Sequence, residues 1–379
     1  MALLLGGPEP RFVLFVLPRD HDAELWAGPR LGPEEAKERT GADECYSTTE
    51  LEARLPALLE GARLIQYRAR AGDGVGRYVT EALADARTRG ARKGLGPRGV
   101  VDPGEILDEL RLRKDPAEVE CIRTAVAVTL EGHRAGAAAI HPGTGEWDVE
   151  AAIEGGFRRA GAAGPCFGTI VGSGENACVL HYVANSATIG GGALVLVDAG
   201  AEVRLYNGDV TRTYPSNGRF SAIQRDVYEV VEAAHGAAIA KVAPGVALQD
   251  VHGAAVAAIT EGLVSLGVLE GSVEVLVEGD AYRPYFPHRT SHWLGIDVHD
   301  PGDYIRSGTP RVLEAGMVFT VEPGLYFRPG HLEGGADRFS GIGVRIEDDV
   351  LVTETGCEIL TGDLPTGAED VESLVGHVP

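Results

Sequence analysis

The sequence predicts an α/β (α+β) protein of two domains, a small N-terminal one over residues 1–112 and a larger one over 113–379. Three observations lead there. The chain is too long for one ordinary domain and comfortable for two. Helical and strand-like periodicities alternate along it, and in the larger part helices precede strands twice over. Between the two parts stands a strong helix start, Asp115-Pro116-Ala117-Glu118. Asp115 can cap it, Pro116 suits the first helical position, and Glu118 sits where a capping box wants a carboxylate.

The elements follow in order. Ala2 to Leu5 and Arg11 to Leu17 are apolar, strand-like stretches joined by Gly6-Gly7-Pro8-Glu9-Pro10, which reads as a hairpin. Helical spacing covers Glu50 to Leu59, Gly76 to Thr88 and Pro103 to Leu112. Two longer helices are expected at Ala117 to Ile140 and Trp147 to Arg159, then strands at Phe167 to Val171, Val179 to His181, Leu194 to Asp198 and Asp209 to Tyr214. The order repeats with helices Ala222 to Lys241 and Leu248 to Leu266, followed by strands around His292, Met317 to Glu322 and Gly343 to Val352. That repetition suggests two related half-units facing each other.

Composition narrows the function. A net charge of -22, with basic residues scattered rather than clustered, excludes nucleic acid and anionic lipid as partners. Met1 to Leu5 lacks the basic flank of a secretory signal, and no apolar run approaches a membrane span. The 5 cysteines are odd in number and lack CxxC spacing, which argues against a disulfide framework and a thiolate zinc site. A reducing cytoplasm is the expected location. Gly172-Ser173-Gly174 is no phosphate cradle, because no helix bearing Lys or Ser/Thr follows it.

The chemistry lies in four carboxylates and a histidine on strand-like segments. Asp198 ends Leu194-Val195-Leu196-Val197, and Asp209 follows across a turn at Tyr206-Asn207-Gly208, so adjacent strands can aim both into one space. Glu322 closes Val318-Phe319-Thr320-Val321, Glu347 follows Gly343-Val344-Arg345-Ile346, and His292 stands in Ser291-His292-Trp293. Burying several acids together is costly unless a cation neutralises them. Carboxylates with one imidazole suit manganese, cobalt or zinc, and carboxylates can bridge two ions.

At these residues the sequence resembles a known family. Leu196-Val197-Asp198-Ala199-Gly200-Ala201-Glu202, Gly208-Asp209-Val210-Thr211-Arg212-Thr213, Ser291 to His299, Val321-Glu322-Pro323-Gly324-Leu325-Tyr326 and Gly343 to Asp348 look like successive signatures of the aminopeptidase P and prolidase branch of the pita-bread metallopeptidases. The resemblance implies a pita-bread catalytic domain behind a creatinase/aminopeptidase P-like N-terminal domain, here shortened at its start. It implies two divalent metal ions, manganese first with zinc or cobalt as alternatives, and a homodimer. Asp198, Asp209, His292, Glu322 and Glu347 would be the ligands, with Asp209 and Glu347 bridging and Glu322 also shuttling a proton. His181, His288 and His299 match substrate-contacting positions, and His181 or His299 would hydrogen-bond the scissile carbonyl. Tyr326 and Arg345 would orient substrate, although Arg345 could equally pair with the buried acids. The substrates implied are small peptides with proline at the second position.

One departure bears on substrate. In His288-Arg289-Thr290-Ser291-His292, aminopeptidase P sequences usually carry glycine after the first histidine. Arg289 there either reads a free C-terminal carboxylate, which would favour a dipeptidase, or points outward as a surface residue. A metal-free creatinase-like hydrolase and a non-catalytic peptide-binding module are the other readings, each expected to have lost ligands that this sequence keeps. His21, His133, His141, His235, His252, His331 and His377 lack such context and are expected at the surface or in packing.

Overall fold

The computed structural model describes residues 1–7, 9–69, 74–91, 96–331 and 334–376. They divide into two compact units, Met1–Leu107 and Asp108–Pro379. In the first, strands Ala2–Leu5 and Arg11–Val16 pair antiparallel, as the apolar stretches led us to expect; Pro8 in their connection lies outside the described residues. Arg11–Val16 also pairs in parallel with Glu44–Ser47, reached through helices His21–Ala27 and Gly32–Thr40. Periodicity missed those three elements. The helices are short and polar, with no buried residue in the first and only Gly32 and Ala36 in the second, so no apolar stripe announces them. Helices Leu51–Leu59 and Gly74–Gly90 close the unit's core over Val13, Phe15 and Ile65.

The second unit opens with the capping box expected at Asp115. Its carboxylate accepts the amides of Ala117 and Glu118, the Asp115 amide donates to the Glu118 carboxylate, and the helix runs Pro116–Ala139. It packs on helix Glu146–Arg159, and the later pair Ala222–Ile239 and Leu248–Ser265 repeats the arrangement. Where these helices cross, Gly132 leaves room that a Cβ would deny, since it would stand 2.2 Å from the Phe157 ring.

Each helix pair covers strands. Leu194–Ala199 lies between Ile170–Ser173 and Val210–Pro215, antiparallel to both. In the other half Val318–Val321 pairs with Asp348–Val352, and Gly324–Tyr326 with Gly343–Arg345. An isolated bridge, Thr211↔Glu347, joins the two halves.

Three expected strands need correction. Val179 to His181 is a turn: Gly174, at φ 57°, starts a 3-10 helix over Gly174–Cys178, and the chain leaves it through Val179 and Leu180. Around His292 only the single bridge Trp293↔Phe319 forms. The stretch Gly343 to Val352 breaks at Ile346-Glu347 into two strands. Among the described residues no helix is long and apolar enough to cross a membrane.

Candidate metal centre

Register sets the site. Asp198 stands opposite Thr211, and alternation puts Asp209, two residues earlier than Thr211, on the same face. In the second half, Val321↔Asp348 and Gly324↔Arg345 share one register, so Glu322 and Glu347 between them face each other. His292 joins alongside: its carbonyl accepts the Thr320 amide at 2.9 Å, and its amide donates to Thr320 Oγ1 at 3.1 Å. The bridge at Thr211 then brings the two faces together, with Thr211 Oγ1 donating to Glu347 Oε2 at 2.6 Å.

Asp209, His292 and Glu347 offer donor atoms all within 4.8 Å of one another. His292 Nε2 lies 3.3 Å from Asp209 Oδ2, 3.7 Å from Glu322 Oε1 and 4.0 Å from Glu347 Oε1. Its Nδ1 lies 3.1 Å from the Trp293 carbonyl, which only accepts, so Nδ1 carries a proton and Nε2 is the ring nitrogen turned towards three carboxylates. Asp198 lines the same cavity, accepts Arg345 Nη2 on Oδ2 at 2.5 Å, and its buried Oδ1 has no hydrogen-bond partner among the described residues. An imidazole nitrogen and an orphan oxygen among acids are what a divalent cation satisfies, so the donor set fits the metals that suit carboxylates and imidazole.

Electrostatics agree. Burial, then the neighbouring carboxylates, raises Asp209 and Glu347 well above the ordinary carboxylate range, against the pull of Arg345. Burial raises Glu322 as well, although His292 and Arg345 oppose it.

The other expected residues surround this cluster. His181, His288, Arg289, His299 and Arg345 line a cavity of about 730 Å³ together with all five of the acids and imidazole above. The His299 ring meets that of His292 edge-on at 4.4 Å, and burial, then His292 and His181, lowers its pKa. His288 is pushed down to about 3 by burial and Arg345, so it is neutral; its Nδ1 donates to the Arg289 carbonyl at 2.8 Å. Its Nε2 therefore accepts from the Tyr326 hydroxyl at 2.9 Å, and that hydroxyl accepts from Arg345 Nη1 at 3.0 Å. Arg345 thus pairs with a buried acid and also holds Tyr326.

Several residues escaped the sequence reading. His252, expected at the surface or in packing, instead lines the cavity, with Nδ1 2.7 Å from Thr290 Oγ1. Its signal is weak, because helical spacing alone does not say which end of Leu248–Ser265 opens on a site. Asp349 accepts the Asp209 amide at 3.0 Å, and the buried Asp348 lies 2.7 Å from Arg212 and 3.0 Å from His235. An acidic doublet inside an apolar strand was the available clue. Glu146 receives Ser173, Asn176, Tyr182 and the Ala187 amide, which pins the segment bearing His181. His377 lies outside the described residues.

Paired carboxylates and an imidazole gathered between two strand–helix halves define a metallohydrolase-type centre. Residues 120–354 match metallopeptidase family M24, and residues 1–66 match the aminopeptidase P N-terminal domain. The Xaa-Pro aminopeptidase of Escherichia coli is 40% identical over 364 residues, covering 96% of this chain and 82% of the relative. The aminopeptidase PepP structure from Pseudomonas aeruginosa superposes with a TM-score of 0.91 at 41% identity, covering 96% of this chain and 82% of that one. A substituted Escherichia coli aminopeptidase P in complex with substrate gives 0.90 at 39%, covering 97% and 83%. The chain belongs to metallopeptidase family M24: it is a metallopeptidase with a pita-bread catalytic domain and an aminopeptidase P N-terminal domain, of a family that uses divalent metal ions.

Proposed function

We propose that this enzyme removes the N-terminal residue from small peptides whose second residue is proline. The observation that carries the reading is the convergence of Asp198, Asp209, His292, Glu322 and Glu347 on one cavity with apolar walls at Phe167, Ile170 and Leu180. Proline has no N–H, so its ring is gripped through such surfaces rather than by a hydrogen bond to the scissile nitrogen.

Asp198, Asp209, His292, Glu322 and Glu347 would hold two divalent ions. Such ions would supply an activated water and Lewis acidity at the scissile carbonyl. Glu322 holds the proton released by the nucleophile and delivers it to the leaving proline nitrogen; its raised affinity for a proton, caused first by burial, suits that duty. His181 and His299 donate to the carbonyl oxygen as charge develops there. Arg345 holds Asp198 in place and, through Tyr326, keeps His288 in one tautomer beside the substrate.

Manganese as the working ion, a cytoplasmic location and a homodimer belong to the same proposal. The oxygen-rich donor set supports the first, the free cysteines the second, and the family resemblance the third. Sedimentation equilibrium checks the assembly.

Turnover of Xaa-Pro and Xaa-Pro-Xaa peptides, with Xaa-Ala-Xaa as control, tests the activity. Cleavage confined to the proline peptides and abolished by chelation is expected. Equal cleavage of the alanine control, or full activity after exhaustive metal removal, would contradict it.

A further inference from the structure

Two arginines line the cavity, and they differ in what they are bound to. Arg345 is buried and committed to Asp198 and Tyr326. Arg289 is exposed, and among the described residues its side chain takes part in no ion pair or hydrogen bond; only its carbonyl is engaged, by His288. A guanidinium with five donors and no protein acceptor, on the wall of a cavity in a chain of net charge -22, is a site for an external anion.

Position limits what that anion is. Arg289 follows His288 directly and lies three residues from His292, so it is carried on the same wall as the imidazole of the acid cluster. Leu248, Gln249 and His252 line the same cavity, His252 reaching Thr290 beside Arg289, and none supplies a negative charge. The acids meet around His292, where the substrate's amine and scissile bond would lie. A peptide with its amine and carbonyl there leads its C-terminal part away from the cluster. Each added residue moves its α-carboxylate on by at most about 3.6 Å, so only a short peptide presents that group within the cavity.

We propose that Arg289 binds the free α-carboxylate of a two- or three-residue substrate, making this enzyme one that prefers the shortest proline peptides over longer chains. The inference rests on the Xaa-Pro reading of the site and adds the length and charge of the substrate to it. A charge-assisted, two-pronged bond is lost when the carboxylate is amidated or the chain continues, and the net negative charge of the protein then favours the uncharged peptide.

The test compares Ala-Pro with Ala-Pro-amide, and Ala-Pro-Ala with Ala-Pro-Ala-amide, on the manganese-loaded full chain. Cleavage kinetics and calorimetric binding are measured for each. We expect the free acid to be favoured by about tenfold or more in kcat/KM and in affinity in at least one pair, as a charge-assisted bond of this kind provides. The preference should shrink as salt rises. It should fall to about one or below in Arg289→Gln and be partly restored in Arg289→Lys, which keeps the charge without the fork. Cleavage with no acid preference, or a preference that survives Arg289→Gln, overturns the role of Arg289 and leaves the Xaa-Pro reading standing. Carboxylate-dependent binding without cleavage overturns that reading and supports Arg289.

Discussion

At the scale of single residues, the site depends on which atoms are already engaged. Asp198 keeps one oxygen on Arg345 and one without a partner, and His292 spends Nδ1 on a carbonyl, so each has one atom left to offer. In the proposed function Glu322 is the position where ligation and proton transfer coincide. Glu322→Gln should leave far-UV circular dichroism unchanged while lowering kcat by at least about 10²–10⁴-fold, the usual worth of a positioned acid–base group. Near-normal turnover in that variant would remove Glu322 from the mechanism. Asp198, Glu322 and Glu347 were legible because each stands at the end of a largely apolar strand-like run, a pattern that is expensive without a cation, and Asp209 and His292 joined them through the resemblance of their flanking motifs. His252 was not legible: its cavity position follows from where helix Leu248–Ser265 meets Thr290, a tertiary fact with no local signature.

At the scale of elements, the ligands are placed by strands and the strands by what anchors their flanks. The segment from His292 to His299 has almost no regular pairing, and a buried clamp holds it instead. Asp300 accepts Lys114 Nζ at 3.1 Å and Arg111 as well, and Gly295 leaves room for them, since its Cβ would stand 2.5 Å from Asp300 Oδ2. Asp300→Asn strands the buried Lys114, so it should cost about 3–5 kcal/mol in denaturant unfolding and weaken metal binding through His292. Unchanged stability would show that the clamp is not needed.

Helix Pro116–Ala139 carries another such anchor. His133 is fully buried, lies 3.1 Å by Nε2 from the Ala199 carbonyl, and is pushed down to about 4 by burial. Between the ordinary value of 6.5 and about 4 the unfolded chain takes up a proton that the folded chain refuses. Stability therefore rises with pH across that window, by about 3 kcal/mol in total. His133→Gln should flatten that part of the profile; identical slopes in the two proteins would rule the contribution out. Elements were read correctly where an apolar stripe or a cap announced them, as at Asp115. They were missed where short polar helices such as His21–Ala27 carry no stripe, and misread at Val179 to His181, where an apolar run continues out of a 3-10 turn.

At the scale of the molecule, two helix-and-strand halves each bring part of an acidic cluster to one seam, joined at Thr211 and Glu347. Neither half holds the full donor set. Site and fold are thus coupled in the proposed function: ions bound there would relieve the repulsion among Asp209, Glu322 and Glu347, and anything that binds only the folded chain stabilises it. Adding manganese at a hundred times its Kd should raise the unfolding free energy by about 2.7 kcal/mol per site. A melting temperature indifferent to manganese and to chelator would break that link.

The central claim is that four acids and one imidazole converge because cations belong among them. Calorimetric titration of the metal-stripped chain with manganese, with the bound metal counted by elemental analysis, tests it most directly. The account predicts two ions per chain, with peptidase activity returning as they bind and uptake lost when Asp209 and Glu347 are replaced by Asn and Gln. A stripped chain that takes up no metal, or that cleaves its peptides fully without any, would contradict it.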